Sequence, residues 1–231
     1  MEETVRAVNA LIAAGGVHQH VVVNVAKVVQ AHRDVELRNI LNSCDLVNAD
    51  GQPIVWASRL LGRPLPERVA GIDLMIRLFA ESERLGHSVY FLGARPEVVE
   101  AVVSRARRDH PAMPIAGLRD GYWALDEEAD VAASIAAATP RILFVAMPSP
   151  RKEQFLARWK ETIGAPFVMG VGGSFDVYAG LVPRAPIWMQ RAGLEWLHRL
   201  RQEPRRMWRR YLGDLPKFVG LLVRESLRRE R

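Results

Sequence analysis

The apolar positions of this chain fall into two spacings that take turns along it. Val5 to Ala14 and Ala26 to Asn42 carry the helical pattern, with apolar residues three and four apart. Between them HVVVNV, residues 20–25, is almost unbroken valine, the mark of a strand buried on both faces. DLVNADGQP, residues 45–53, predicts a short strand breaking into a tight turn, with a helix over Ile54 to Leu61. GRPLPERVA, residues 62–70, reads as a loop. Ile72, Met75, Ile76 and Phe79 set a helix over Gly71 to Leu85. HSVYFLG is a strand, and Pro96 opens a helix to Asp109. His110 to Ala116 is expected as a short strand, with GLRDGYW as the loop after it. Asp126 to Ala138 is helical, RILFVAM a strand, PSPRKE a loop, Gln154 to Thr162 a helix, and PFVMGVG the last strand. Strands alternating with helices over residues 1–180 predict a doubly wound, Rossmann-like parallel α/β sheet. Residues 185–231 show no strand pattern. They read as two or three short helices rich in Arg and Trp, interrupted at Pro204 and Pro216. The expected organisation is an α/β core over 1–184, carrying the substrate site, and a basic helical appendage over 185–231.

Composition narrows the picture. A chain of 231 residues, 49% apolar, can bury one sizeable core. Its single cysteine, Cys44, excludes an internal disulfide framework and a cysteine-built zinc site, and fits a reducing compartment. The N-terminus, MEETVRAVNALIAAGG, lacks the basic start of a signal peptide. No uncharged apolar run is long enough to span a membrane. The net charge of +6 is uneven: residues 184–231 hold 13 Lys and Arg against 5 Asp and Glu, a net of +8, and the rest of the chain carries −2. That asymmetry points to a polyanionic partner, either a phospholipid surface or nucleic acid.

Candidate chemistry lies at the strand ends, where open α/β sheets bind ligands. Asp50 sits there in the turn after the second strand, although Asp and Gly also favour turns for their own sake. LGARPE with Gly93, and GVGGSFD with Gly172 and Gly173, are turns able to bring backbone N–H groups to a diphosphate. Neither is a dinucleotide fingerprint, since Phe175 stands where the third glycine would be. Arg68 in its loop, and Arg151 and Lys152 at a strand end, are candidate anion contacts. Asp176 reads first as a helix cap and second as a partner for a sugar hydroxyl. The six histidines show no metal-ligand spacing. The tail tryptophans, taken singly, read as core residues.

Seven segments in order, NADG (48–51), ERVAG (67–71), FLGARPE (91–97), PSPRKE (148–153), GVGGSFDVYAG (170–180), RAPIWMQRAGLEWLHRL (184–200) and EPRRMWRRYL (203–212), closely resemble the WecG/TagA/CpsF glycosyltransferase family. The resemblance covers nearly all of residues 20–212. It implies an inverting transferase that uses neither metal nor other cofactor. Such enzymes move a sugar, often N-acetylmannosamine or its uronic acid, from a UDP-sugar donor. The acceptor is a polyprenyl-diphosphate-linked sugar, and the products serve teichoic acid, exopolysaccharide and related cell-surface polymers. By motif Asp50 takes the role of catalytic base. Asn24, Asn48 and Arg68 fall in the substrate pocket, with Gly93, Arg151, Lys152, Gly172, Gly173 and Asp176 as further substrate contacts. Arg199, Arg206 and Arg209 fall in an appendage that closes the site and meets lipid diphosphate. The implied place of work is cytoplasmic, peripheral on the inner face of the cell membrane, on anionic lipid and without nucleic acid. A homo-oligomer is left open.

Two positions depart from the family pattern: Val22 where Thr is common, and Lys152 where Gln is common. A lost hydroxyl and a lost amide change the hydrogen bonds offered to a sugar, which leaves the particular sugar open. The physical mechanism is independent of the name. One base takes the proton of the acceptor hydroxyl, and arginine or lysine stabilises the departing diphosphate. Two other classes compete. A nucleotide-sensing protein with an Arg-rich nucleic-acid tail would use Trp188, Trp196, Trp208 and Tyr211 for base stacking. An NAD-dependent oxidoreductase is disfavoured by the failed glycine pattern.

Overall fold

The computed structural model describes residues 1–191, 193–202 and 204–229; the side chains of Arg191, Arg199, Arg206, Met207, Arg209, Arg210, Tyr211 and Arg229 lie outside the described set. The chain runs α1 (Glu2–Ala14), β1 (His18–Val23), α2 (Val25–Arg33), α3 (Val35–Asn42), β2 (Leu46–Ala49), α4 (Gln52–Leu60) and α5 (Gly71–Leu85). It continues with β3 (Val89–Gly93), α6 (Pro96–Asp109), β4 (Ile115–Arg119), α7 (Glu128–Ala137), β5 (Ile142–Ala146), α8 (Arg151–Ile163) and β6 (Phe167–Gly170). Four helices follow: α9 (Ser174–Tyr178), α10 (Ile187–Arg191), α11 (Glu195–Gln202) and α12 (Pro204–Arg229). Among the described residues the strands form one six-stranded parallel sheet in the order β2-β1-β6-β5-β3-β4. The fold is therefore α/β and Rossmann-like, with a helical C-terminal segment.

The central strands β3, β5 and β6 are buried at every position, whereas the edge strand β2 is buried only at Ala49 and the edge strand β4 at no position. That is why the central strands read as unbroken apolar runs. From β3 the chain crosses outward to β4, and from β5 it crosses the other way to β6. The adjacent ends of β3 and β5 thus form a topological switch point, the place where such sheets take ligands.

Several boundaries differ from the sequence expectation for local reasons. The helix expected over residues 26–42 is two helices. Asp34 ends α2, and its Oδ1 accepts from Leu37 N at 2.9 Å, starting α3. β1 stops at Val23 because Asn24 caps α2, its Oδ1 accepting from Lys27 N at 3.1 Å. β4 takes in GLR, expected as loop, in place of His110 to Pro114. Arg151 to Glu153 form the first turn of α8, so the PSPRKE loop is shorter than expected. Pro216 does not interrupt the tail but lies inside the 26-residue α12. An internal proline costs about 3 kcal/mol. Just beyond it Phe218 is buried and Leu222 packs beside it, and burying a Phe returns about 1.5–3 kcal/mol. Trp188, Trp196 and Trp208 are exposed, contrary to the core reading.

The chain divides into two units. The first comprises Met1–Val21, Asn39–Val47 and Gly71–Val182. One of its cores joins Leu143, Val145 and Val168 of the sheet to Val131 and Ile135 of α7 and Phe155 and Leu156 of α8. In another, Phe79 of α5 stands edge-on to Phe91, Phe144 and Tyr178, with centroids 5.2–5.6 Å apart. The second unit comprises Val22–Arg38, Asn48–Ala70 and Pro183–Arg231. Its core is Val29 of α2, Ala57 of α4 and Phe218 of α12, with Val25, Val28, Ile54 and Leu222 packed around them.

In the first unit Asp45 ties the starts of two strands together. Its Oδ1 lies 3.0 Å from His18 Nδ1, and its Oδ2 accepts from Gln19 N at 2.8 Å. The Asp45 hydrogen bond raises the His18 pKa above its ordinary 6.5, against the opposing effect of burial. For Asp45, burial pushes the pKa up from 3.8, but the bonds from His18 and Gln19 outweigh it and the net shift is downward. A raised histidine stabilises below its unfolded pKa and stops as pH rises through its folded pKa; a lowered carboxylate stabilises above its unfolded pKa and stops as pH falls through its folded one. The pair therefore contributes most between pH 3.8 and 6.5. Thermal midpoints from pH 5 to 8 should fall with rising pH for the parent, and the fall should shrink in His18→Gln. An unchanged slope in the variant would show that His18 carries none of it.

Candidate functional site

The second unit gathers Asn24, Asn48, Asp50 and Arg68. Asp50 follows the last residue of β2 and is half-buried. Its backbone N–H donates to Val23 O at 2.8 Å, which ties the turn after β2 to the end of β1. Gly51 has φ +119°, where only glycine sits without strain, and it opens α4 with Pro53 in the first turn. The turn thus fixes the backbone on both sides of the Asp50 carboxylate. Asn48 is half-buried in β2, and Asn24 is engaged as the cap of α2.

Arg68 stands in a loop that is pinned next door. Val69 N donates to Ala49 O at 2.9 Å, and Val69 and Ala70 are buried. Arg68 Nη1 donates to Glu195 Oε2 at the start of α11, and Arg184 Nη2 lies 3.6 Å from Glu195 Oε1. Glu195 and Arg184 were not singled out from the sequence as site residues. A carboxylate gives no local signal when its partner lies 127 residues away. The hint was indirect: all three residues belong to the quoted segments ERVAG, RAPIW and GLEW. Gly193 has φ +72°, and an added Cβ would come within 3.3 Å of Gln52 Cβ. Arg199 lies on α11, and Arg206 and Arg209 on α12; their side chains fall outside the described residues.

The first unit holds Gly93, Arg151, Lys152, Gly172, Gly173 and Asp176. Gly93, φ +108°, ends β3 at the switch point. A Cβ there would fall 2.5 Å from Ala146 O, so no side chain fits. The next N–H, that of Ala94, donates to Ala146 O at 2.8 Å. It is therefore engaged within the fold rather than presented to an anion. Gly172 and Gly173 differ: a Cβ at either would meet nothing within 4 Å, so the turn after β6 has open space before it. Asp176 is not the cap of α9. Gly173 holds that position, and Asp176 sits inside the first turn, where an acidic side chain suits the helix dipole.

Arg151 has a tertiary role that the sequence did not show. Its guanidinium stacks 4.9 Å from the centroid of Trp123 and donates to Gly121 O and Trp123 O at 3.3 and 3.4 Å. Lys152 is buried, its stem lies against Gly170, and its Nζ pairs with buried Glu153 Oε1 at 2.9 Å. Among the described residues no three His, Cys, Asp or Glu side chains come together as a metal-ligating group. No helix among them is long and apolar enough to cross a membrane.

Comparison with known proteins agrees with the motif reading. The model of the "Glycosyl transferase WecG/TagA/CpsF family" matches residues 1–231. An N-acetylglucosaminyldiphosphoundecaprenol N-acetyl-beta-D-mannosaminyltransferase of Bacillus spizizenii is 37% identical over 197 residues, covering 85% of this chain and 75% of the relative. The protein of the same name from Bacillus subtilis is 35% identical over 196 residues, with the same coverage.

Proposed function

We propose that this chain, which belongs to the WecG/TagA/CpsF glycosyltransferase family, transfers N-acetylmannosamine or a closely related sugar from its UDP derivative to a sugar carried on polyprenyl diphosphate. The chain is a glycosyltransferase; the choice of donor, acceptor and mechanism is our reading. The observation that carries it is Asp50, a half-buried carboxylate in a turn fixed by Gly51 and the bond to Val23, inside the NADG segment.

The names of the two relatives specify a β-mannosaminyl product. From an α-linked nucleotide sugar that outcome takes one inverting displacement. The acceptor hydroxyl oxygen bonds to the anomeric carbon as the bond from that carbon to the UDP oxygen breaks. The bonding pair leaves with UDP, and Asp50 takes the hydroxyl proton. The charge that grows on the leaving diphosphate calls for cations, and the candidates are Arg68 and the tail arginines Arg199, Arg206 and Arg209. We extend the reading to metal independence, because these cations can do the work of a divalent ion.

We also place the enzyme at the cytoplasmic face of the membrane, held peripherally by its tail. In α12 the exposed residues Trp208, Leu212, Leu215, Val219, Val223 and Leu227 recur three or four apart, which makes one stripe. Helical geometry puts Lys217, Arg224 and Arg228 on the opposite flank of the buried line through Phe218. An apolar stripe on one flank suits the acyl edge of a bilayer, and cations on the other suit its anionic headgroups.

The experiment is a panel of UDP-sugars with a short-chain polyprenyl-diphosphate-linked acceptor, reading released UDP with and without EDTA. UDP-N-acetylmannosamine should give the fastest acceptor-dependent release, unchanged by EDTA. No acceptor-dependent release with any UDP-sugar would sink the donor assignment. Loss in EDTA with recovery on magnesium would sink metal independence.

A further inference from the structure

A carboxylate held between two guanidinium groups has no role in the mechanism so far. Glu195 receives Arg68 Nη1 on one oxygen, while Arg184 Nη2 lies 3.6 Å from the other. The side chains of Arg68, Glu195 and Arg184 are only 17%, 19% and 26% exposed, so water and salt screen these charges weakly. The surroundings tie the cluster to Asp50. Arg68 precedes Val69, whose N–H is bonded to Ala49, the residue before Asp50. Gly193, two residues before Glu195, is packed on Gln52, two residues after Asp50. Residues 193–195 therefore meet Gln52, just after the proposed base, and Arg68, in the loop bonded to the residue just before it.

Each guanidinium carries five N–H donors in a fork, more than the single carboxylate oxygen it faces can accept. Without the carboxylate the two cations would repel each other. With it they can stand together, an arrangement suited to two linked phosphates that each accept a forked pair of bonds. We propose that Glu195 is a positioning residue that holds Arg68 and Arg184 together as a diphosphate-binding pair. This rests on the transferase reading, which supplies two such ligands: the nucleoside diphosphate of the donor and the prenyl diphosphate of the acceptor.

The test uses the full chain and two soluble probes, UDP and geranyl diphosphate, with binding measured by calorimetry beside a thermal midpoint. Glu195→Gln should weaken one of the two probes about tenfold or more, the loss of a charge-assisted contact. Its thermal midpoint should move by no more than about 3 °C. Glu195→Asp, which keeps the charge, should recover part of the affinity. Weakened UDP assigns the pair to the donor, and weakened geranyl diphosphate assigns it to the acceptor. Binding of both probes at wild-type strength or tighter overturns the proposal, because the carboxylate would then be a plain structural partner or a competitor of the anion. Binding of neither probe by the parent overturns it too. Should Glu195→Gln fail to fold, Arg184→Lys carries the same expectation, since lysine keeps charge but loses the fork. A parent that binds UDP yet transfers no sugar would instead sink the transferase reading and leave this cluster standing.

Discussion

Asp50→Asn should lower sugar transfer by about two to four powers of ten while leaving the fold and UDP binding in place, the usual cost of removing a general base. The change is nearly isosteric. The features that shape the turn are backbone ones, namely the Asp50 N–H bond to Val23 and the positive φ of Gly51, and an amide preserves both. What disappears is the ability to accept a proton from the acceptor hydroxyl. The expected signature is a drop in kcat with little change in KM for the donor, since the lost interaction belongs to the transition state. A circular dichroism spectrum and a thermal midpoint close to the parent's would show that the loss is chemical. Turnover within a few-fold of the parent would remove Asp50 from the mechanism and move the search to another acceptor of the proton.

The position of Asp50 was legible because two independent signals agreed. An apolar run ending in Asp-Gly marks a strand that must turn, and such turns lie where α/β sheets bind ligands. The central strands were equally plain, since a strand buried on both faces has no polar residue to break its pattern. Capping residues hidden in periodic runs were harder. Asp34 looks like one more polar position on a helix until its side chain is seen to start α3. Pro216 misled because its cost is local whereas the packing of Phe218 against α2 and α4 is tertiary. Cations were the least legible. An arginine at a strand end reads as an anion contact, but Arg151 is engaged by Trp123 and two loop carbonyls. Glu195, which organises Arg68 and Arg184, sat in plain view in GLEW. Nothing in its neighbours along the chain tells a half-buried partner of two arginines from an ordinary solvated glutamate at a helix start.

Val219→Glu with Val223→Glu should release the protein from anionic liposomes and stop transfer to a long-chain acceptor embedded in them. Both side chains are about half exposed, 49% and 53%, and lie on the apolar stripe of α12 rather than on the buried line through Phe218 and Leu222. Substitution there should cost the fold little, as is usual for surface changes. The cost at a membrane is larger. The exposed half of each valine side chain is worth about 0.8 kcal/mol when buried, and the two together about 1.5 kcal/mol. Two added negative charges also oppose the roughly 1 kcal/mol that each nearby Lys or Arg gains at an anionic surface. A combined loss of about 3 kcal/mol or more lowers partition by over a hundredfold, enough to empty the liposome pellet. Transfer to a short-chain, water-soluble acceptor should stay near the parent rate, because Asp50 and the Arg68–Glu195 pair are left intact. That contrast separates membrane attachment from damage to the active centre. Equal loss with both acceptors would mean that the stripe supports the fold or the chemistry. Undiminished pelleting and transfer would leave the cations of the tail as the sole anchor and the apolar stripe without a part in attachment.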